Sequence, residues 1–349
     1  MADVTMLTEA ITEITARRWL DGVLIRVRKL ARIFVVKVSV FNIGASLLCL
    51  TSTPALAQLP NQTQTQAQTR QKLLQDLDSG QIQDAILLGQ EAVSHWPDDA
   101  QLRHYLGVAY FKNGDSKQAK EQLTRARELD PKDSATNFDL ALVSLSEQDY
   151  PSAADELAVV IKLDPSNAIA HMLLGRAYLN SNRSLQAVEE FKTTLKLDPS
   201  MKLGHYHLGF AFFSLGRKDE AIAEYKEELR RSGENATVLF ELGRSLLDTG
   251  KYDEASKHLQ RVIELDALNS DAWYNLGKAQ ALAGSTAQAE ITLRKAAELN
   301  PKDPSPHYQL ARVLGKLGKS EEARSERQRF AELKKAQPAA SGMATGRDQ

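Results

Sequence analysis

Between Ala168 and Met201 the large side chains fall into two runs with helical spacing. His171, Leu174 and Tyr178 form a stripe at i, i+3 and i+7, and Ala187, Phe191 and Leu195 form a second. The polar stretch Asn180-Ser181-Asn182-Arg183 separates the runs. Pro199, which lacks an N–H and cannot continue a helix, closes the second. The pattern predicts a helix, a turn and a helix within 34 residues. Such a pair cannot bury its apolar faces alone.

The pattern recurs at the same period on both sides. Windows of 34 residues begin near Gln66, Ala100, Ser134, Ala168, Lys202, Ala236, Ser270 and Pro304, with no insertion between them. All eight keep Ala at one place: Ala85, Ala119, Ala153, Ala187, Ala221, Ala255, Ala289 and Ala323. Seven keep Leu at another, from Leu106 and Leu140 through Leu174, Leu208, Leu242 and Leu276 to Leu310. The residue after each of these is small: Gly107, Ala141, Gly175, Gly209, Gly243, Gly277 and Ala311. A small residue there lets the two helices of a window approach closely, where a bulky one would hold them apart.

Period and residues together resemble the tetratricopeptide repeat family, with its W-x-x-L-G-x-x-Y…A-x-x-x-F…P pattern over 34 residues. Trp273, Leu276, Gly277, Ala289 and Pro301 fit it in the seventh window, and Tyr110, Ala119 and Pro131 in the second. The resemblance covers residues 66–336 and implies an all-α, right-handed superhelical solenoid of antiparallel helix pairs, eight repeats long. Two departures stand out. In the first window Lys72-Leu73 replace the Leu-Gly pair, which predicts a degraded or capping first helix. In the fifth and sixth, Gly233 and Ala267 replace the proline, which predicts softer or re-angled junctions. The last helix, near Ser320 to Lys335, sets Glu321, Arg324, Arg327 and Gln328 opposite Ala323 and Phe330, the polar outer face a terminal repeat needs.

What precedes the repeats reads differently. Val4, Leu7, Ile11 and Ile14 can form one face of a short helix in residues 1–25, a regulatory extension or a start placed too far upstream. Arg26, Arg28, Lys29, Arg32 and Lys37 form a basic cluster, Val38 to Leu50 is mostly apolar, and Ala55-Leu56-Ala57 follows Pro54. That order is the order of a secretory signal peptide, with cleavage after Ala57. The alternative is an uncleaved membrane anchor, although the run is shorter than the ~20 residues of a span. Cys49 is the only cysteine and follows Leu48 rather than a small residue, which argues against lipidation. A chain cleaved after Ala57 has no thiol for a disulfide, a nucleophile or a metal. Residues 58–68, rich in Gln and Thr, read as a flexible lead, and 337–349 as a disordered tail. These boundaries indicate an exported, periplasmic protein, or one anchored by its uncleaved signal.

Charge and chemistry narrow the function. The formal net charge of −1 divides into +3 over residues 1–57 and −4 over the rest, so no basic excess points to nucleic acid. No nucleophile elbow, phosphate loop or cysteine–histidine metal spacing occurs, and no cofactor or small-molecule substrate is expected. His205-x-His207 is the one close histidine pair, and residues two apart on a helix do not face each other. His171, His205 and His307 share the slot of Trp273 and read as packing between helices. Three glycosylation sequons, at Asn61, Asn182 and Asn235, matter only in a eukaryotic cell.

What remains is a surface. Counting each window from its first residue, positions 4, 7, 8 and 11 are read as the buried stripe of the first helix, and positions 2, 5, 9 and 12 as its neighbour. The resemblance implies that this second stripe lines a concave, partner-binding groove. Position 5 carries His104, Phe138, Met172, Tyr206, Phe240, Tyr274 and Tyr308. Position 9 carries Arg176, Phe210, Arg244, Lys278 and Arg312. The groove is therefore expected to be aromatic along its length and cationic toward its C-terminal end, suited to a peptide or partner protein. The family's clamp for a C-terminal carboxylate is not supported, because Arg70, Leu74, Tyr105, Ala135 and Asp139 occupy its slots. The leading expectation is a non-enzymatic binding scaffold of the bacterial cell envelope. The alternatives are an accessory subunit of an envelope machine, for polysaccharide export or outer-membrane assembly, and an enzyme whose site leaves no recognisable motif.

Overall fold

The computed structural model describes residues 62–336. The signal-peptide features, Cys49 and the tail from Gln337 lie outside the described residues. Among them there are sixteen helices and no strand. The contacts of the chain divide it into two compact units at Ala170/His171. The first unit holds α1 (Gln62–Asp78), α2 (Ile82–His95), α3 (Ala100–Lys112), α4 (Ser116–Leu129), α5 (Ser134–Ser146) and α6 (Tyr150–Leu163). The division falls inside α7 (Ala168–Asn180). The second unit continues with α8 (Ser184–Leu197), α9 (Gly204–Ser214), α10 (Lys218–Ser232), α11 (Ala236–Asp248), α12 (Tyr252–Leu265), α13 (Ser270–Leu282), α14 (Thr286–Leu299), α15 (Pro304–Lys316) and α16 (Ser320–Ala336). No helix among the described residues is long and apolar enough to cross a membrane.

Each window folds as one helix pair, and the reasons repeat with the period. The recurring Ala is 0% or 1% exposed in all eight repeats. A β-carbon on Gly107, Gly243 or Gly277 would sit 2.6 Å from Cγ of Leu123, Leu259 or Leu293, sixteen residues on; on Gly175 it would sit 2.6 Å from the Phe191 ring. These close approaches fix the distance between the helices of a pair. The turn between them always passes through positive φ at position 15, supplied by Gly in six repeats and by Gln148 (φ 60°) and Asn182 (φ 58°) in the other two.

The first repeat is not degraded. Its large and small residues have changed places: Leu73, fully buried, stands where the others have Gly or Ala, and Gly89 stands where they have a large residue. A β-carbon on Gly89 would meet Leu73 at 3.1 Å and Leu106 at 2.9 Å, so the exchange conserves volume across the contact. Residues 62–68, expected to be a flexible lead, form the opening turns of α1. Asp99 holds that helix, accepting hydrogen bonds from Gln66 Nε2 and from Arg70 Nε, each at 2.7 Å. Arg70 is thereby committed to a structural pair.

The two proline departures behave differently. At Ala267 the junction is that of its proline-bearing counterparts: α12 ends at Leu265 and is capped by Asp266, whose N–H bonds Val262 O as that of Asp198 bonds Thr194 O. At Gly233 the helix runs on to Ser232 and ends in a positive-φ residue (φ 78°). A third irregularity comes from the cap. Asp99, Asp133, Asn235, Asn269 and Asp303 each accept the first free N–H groups of the following helix. Met201 stands at that place before α9 and cannot, and α9 starts late, at Gly204, behind a left-handed Leu203.

The buried stripe of the first helices also needs correcting. Position 7 is buried in repeats two to eight (the first has the exposed Lys72), but so are residues at position 3 (Leu102, Ala170, Val238, Ala272) and position 10 (Ala109, Val143, Ala177, Ala211, Ala279, Val313). Position 4 is mixed: Asn137, His171 and Leu239 are buried as expected, and in four repeats the position carries a polar tether. His171, His205 and His307 Nδ1 each lie 2.6 Å from a carboxylate oxygen of Glu190, Glu224 and Glu326, nineteen residues on, in the second helix of the same repeat. Arg103 donates to Gln122 (3.0 Å) in the same relation.

Candidate functional site

In the second unit α9, α11, α13 and α15 lie against one another in order, one first helix per repeat. Period and helix register together place positions 5 and 9 of all four on one face. Tyr206 and Phe210 stand on α9, Phe240 and Arg244 on α11, Tyr274 and Lys278 on α13, and Tyr308 and Arg312 on α15. Arg176 stands on α7. Exposure rises along the series, from 8% at Tyr206 to 48% at Tyr308. Phe210, Phe240, Arg244, Tyr274 and Lys278 are half-buried, and Arg312 is exposed.

Contacts join consecutive repeats across this face. The Arg244 guanidinium lies 5.5 Å from the Phe213 ring of the preceding repeat and 5.7 Å from its own Phe240. It also donates to both oxygens of Glu241 at 3.1 Å. Such a cation, held by two rings and a carboxylate, loses little freedom on meeting a ligand. Arg312 lies 5.9 Å over Tyr308, whose ring also packs on Phe330 at 5.4 Å. Burial raises the Tyr274 hydroxyl above its ordinary value, opposed by its hydrogen bond with Gln309 of the next repeat.

Behind the aromatic row lies a second layer that the sequence reading did not single out. Position 6 carries His207, Glu241, Asn275 and Gln309. Each is one residue beyond the position-5 aromatic and sixteen beyond a position-24 side chain of the preceding repeat. His207 stacks on Phe191 with ring centroids 5.6 Å apart, while His205 turns to Glu224, so the two histidines serve different neighbours. Desolvation, with Arg176 adding to it, pushes the His207 imidazole down to about 3. The residue as a whole is half-buried. Glu241 is 8% exposed, and burial raises its carboxyl above the ordinary 4.5 against the pull of Arg244. A polar column at one position of four successive windows was the available signal.

In the first unit a charged hollow lies along α4, with Lys120 paired to Glu147 (2.9 Å) and Arg125 to Glu128 (2.7 Å). Lys120 also reaches Asp149 (3.4 Å), so much of its charge is paired within the fold.

Sequence-family models described as tetratricopeptide repeat match residues 76–136, 172–236, 240–304 and 292–325. No curated protein sequence matches the chain. Solved structures do. YrrB, described as a TPR protein with an unusual peptide-binding site, is 20% identical with a TM-score of 0.48, over 52% of this chain and 94% of its own. The APC/C hetero-tetramer Cut9–Hcn1 is 17% identical with a TM-score of 0.50, over 70% of this chain and 48% of its own. PilF of Pseudomonas aeruginosa is 19% identical with a TM-score of 0.49, over 58% and 92%. At such identities the likeness concerns the fold.

Proposed function

Because the chain belongs to the tetratricopeptide repeat family, whose members generally act as non-catalytic scaffolds for other proteins, we propose that the α9–α11–α13–α15 face is a groove that holds an extended segment of a partner protein. The observation that carries this reading is the row of Arg244, Lys278 and Arg312 on successive first helices, with Arg244 and Arg312 each over the ring of a position-5 aromatic. Arg and aromatic side chains combine charge-assisted contacts with large, stiff contact area. The segment that fits carries acidic and apolar side chains. The segment before the repeats supports a setting in the cell envelope, reached by export with cleavage after Ala57.

Reversing the row tests the reading. Arg244, Lys278 and Arg312 changed together to Glu should abolish capture of the partner in a pull-down, with circular dichroism unchanged, because none of the three lies in the apolar core. Undiminished capture by a folded triple variant would sink it.

A further inference from the structure

The face formed by α9, α11, α13 and α15 changes character halfway along. Tyr206, Phe210 and Phe213 stand at i, i+4 and i+7 on α9, and the Tyr206 and Phe210 ring centroids are 6.4 Å apart. Phe210, Phe213 and, on α11, Phe240 are all half-buried and keep part of their rings open to solvent. The Arg244 guanidinium lies between Phe213 and Phe240, 5.5 Å from one ring and 5.7 Å from the other. Its charge is already met, because both oxygens of Glu241 accept from it at 3.1 Å. The α9–α11 half is therefore aromatic, and its one cation is neutralised.

On α13 and α15 the cations are unmatched. Lys278 and Arg312 form no ion pair among the described residues, and Arg312 has one long hydrogen bond, to Gln309 at 3.4 Å. Position 12 shrinks along the same direction, from Phe213 and Leu247 to Ala281 and Gly315. Around Gly315 the face is open: a β-carbon there would meet only Arg327 Nη2 of α16, at 4.0 Å. Arg327 is exposed and also forms no ion pair among the described residues. The one acid at positions 2, 5, 9 and 12 of α13 and α15 is Asp271. It stands two helical turns from Lys278, about 10 Å along the axis.

We propose that the groove takes a two-block segment of its partner, with apolar side chains over α9 and α11 and acidic ones over α13 and α15. The inference rests on the groove reading above and adds the order of the blocks and the role of each cation. Apolar side chains laid on Phe210, Phe213 and Phe240 remove ring surface from water. An acid in that half would compete with Glu241 for Arg244 and bring two like charges together. Over the other half an acid gains Lys278, Arg312 and Arg327 without breaking an existing pair, and the bare backbone at Gly315 leaves room for a long side chain. An apolar side chain there would strip water from the cations and return nothing. Arg244 thus contributes stiff contact area, while Lys278 and Arg312 contribute charge. Helices in contact lie about 8–10 Å apart, and an extended chain rises about 3.3 Å per residue. Each repeat then spans about three ligand residues, and each block about six.

Fluorescence anisotropy of the full chain with labelled synthetic peptides tests this. The probes are Leu-Pro-Leu-Leu-Pro-Leu-Glu-Pro-Glu-Glu-Pro-Glu, its reverse, and Leu-Pro-Glu-Glu-Pro-Leu-Glu-Pro-Leu-Leu-Pro-Glu, which has the same composition with the blocks interleaved. The prolines keep all three extended. One orientation of the two-block peptide should bind at least about tenfold tighter than the interleaved one, the scale on which an apolar site discriminates. Replacing its Glu residues by Gln should weaken it, and Lys278→Met with Arg312→Met should cancel that Glu-over-Gln advantage. Phe210→Ser should weaken the two-block peptide while the advantage of Glu over Gln persists. Equal affinity for two-block and interleaved peptides, or a Glu advantage that survives loss of both Lys278 and Arg312, overturns the two-block inference. If Lys278→Glu with Arg312→Glu still abolishes binding in that case, the groove reading stands. Absence of binding by every peptide to folded protein overturns both.

Discussion

Gln148 is the one residue without a special tolerance for positive φ that stands in the left-handed turn position, where six repeats have Gly and one has Asn. A β-carbon there costs about 1–2 kcal/mol in backbone strain, and the added freedom of Gly in the unfolded chain returns about 0.5–1 of it. Gln148→Gly should therefore raise the melting temperature by a small amount, measurable by calorimetry; a fall would mean that the Gln side chain contributes a contact larger than the strain. His207 gives a prediction with a pH sign. Its folded value of about 3 lies below the ordinary 6.5. The unfolded chain takes up a proton in that window and the folded one does not, so stability is complete above about 6.5 and drains away as pH falls toward 3. His207→Leu should flatten the dependence of melting temperature on pH across this range; an unchanged slope would show that other groups govern acid unfolding. Neither residue was legible as special from hydropathy. Gln148 shows itself only once the turn positions are aligned, and His207 only when position 6 is read down four windows.

At the scale of the helix pair, the contact between Ala and its surroundings sets the spacing. Ala187 has no exposed surface. Ala187→Leu should cost about 1–3 kcal/mol as overpacking, whereas the exposed Glu189→Ala should change stability by less than about 0.5. Thermal melts separate the two, and a parent-like Ala187→Leu would misplace the contact. Helix existence, length and pairing were legible because three signals coincide at the period: the Ala, the Leu followed by a small residue, and the closing proline. Positions 3 and 10 escaped because small residues such as Ala170, Ala211 and Ala279 carry little hydropathy contrast, and their burial follows from register. The histidine tethers escaped because Trp273 shares their slot and suggested packing. Their partners were visible in the sequence all the same: Glu190, Glu224 and Glu326 stand nineteen residues after His171, His205 and His307, while Leu239 and Trp273 are followed at that distance by His258 and Thr292. The late start of α9 was legible too, in Met201 standing where other windows have Asp or Asn.

For the whole chain the eight-repeat count and the phase of every repeat followed from the sequence, since an uninterrupted period leaves no freedom in the alignment. The groove was legible as a set of columns, and its chemistry only in part. That Arg244 is clasped by Phe213, Phe240 and Glu241, while Lys278 has no ion pair among the described residues, depends on rotamers that columns do not specify. Export is the reading that acts on the entire molecule. Intact mass of the protein from its native host should begin at Gln58; soluble protein that retains residues 1–57 would remove the export reading and leave the groove untouched.

The exchanged pair Leu73 and Gly89 bears on how such an array can be inherited. Tandem repeats grow and shrink by unequal recombination, which joins the front of one copy to the back of another. A crossover inside the first repeat would set Leu73 against a second large side chain, or bring Gly89 opposite a glycine across an empty gap. Either product is crippled at the closest contact of the pair. The first repeat can thus be duplicated or lost only as a whole, while the crossovers best tolerated join interior repeats that oppose the same two side chains: Gly107, Gly243 and Gly277, each meeting a leucine.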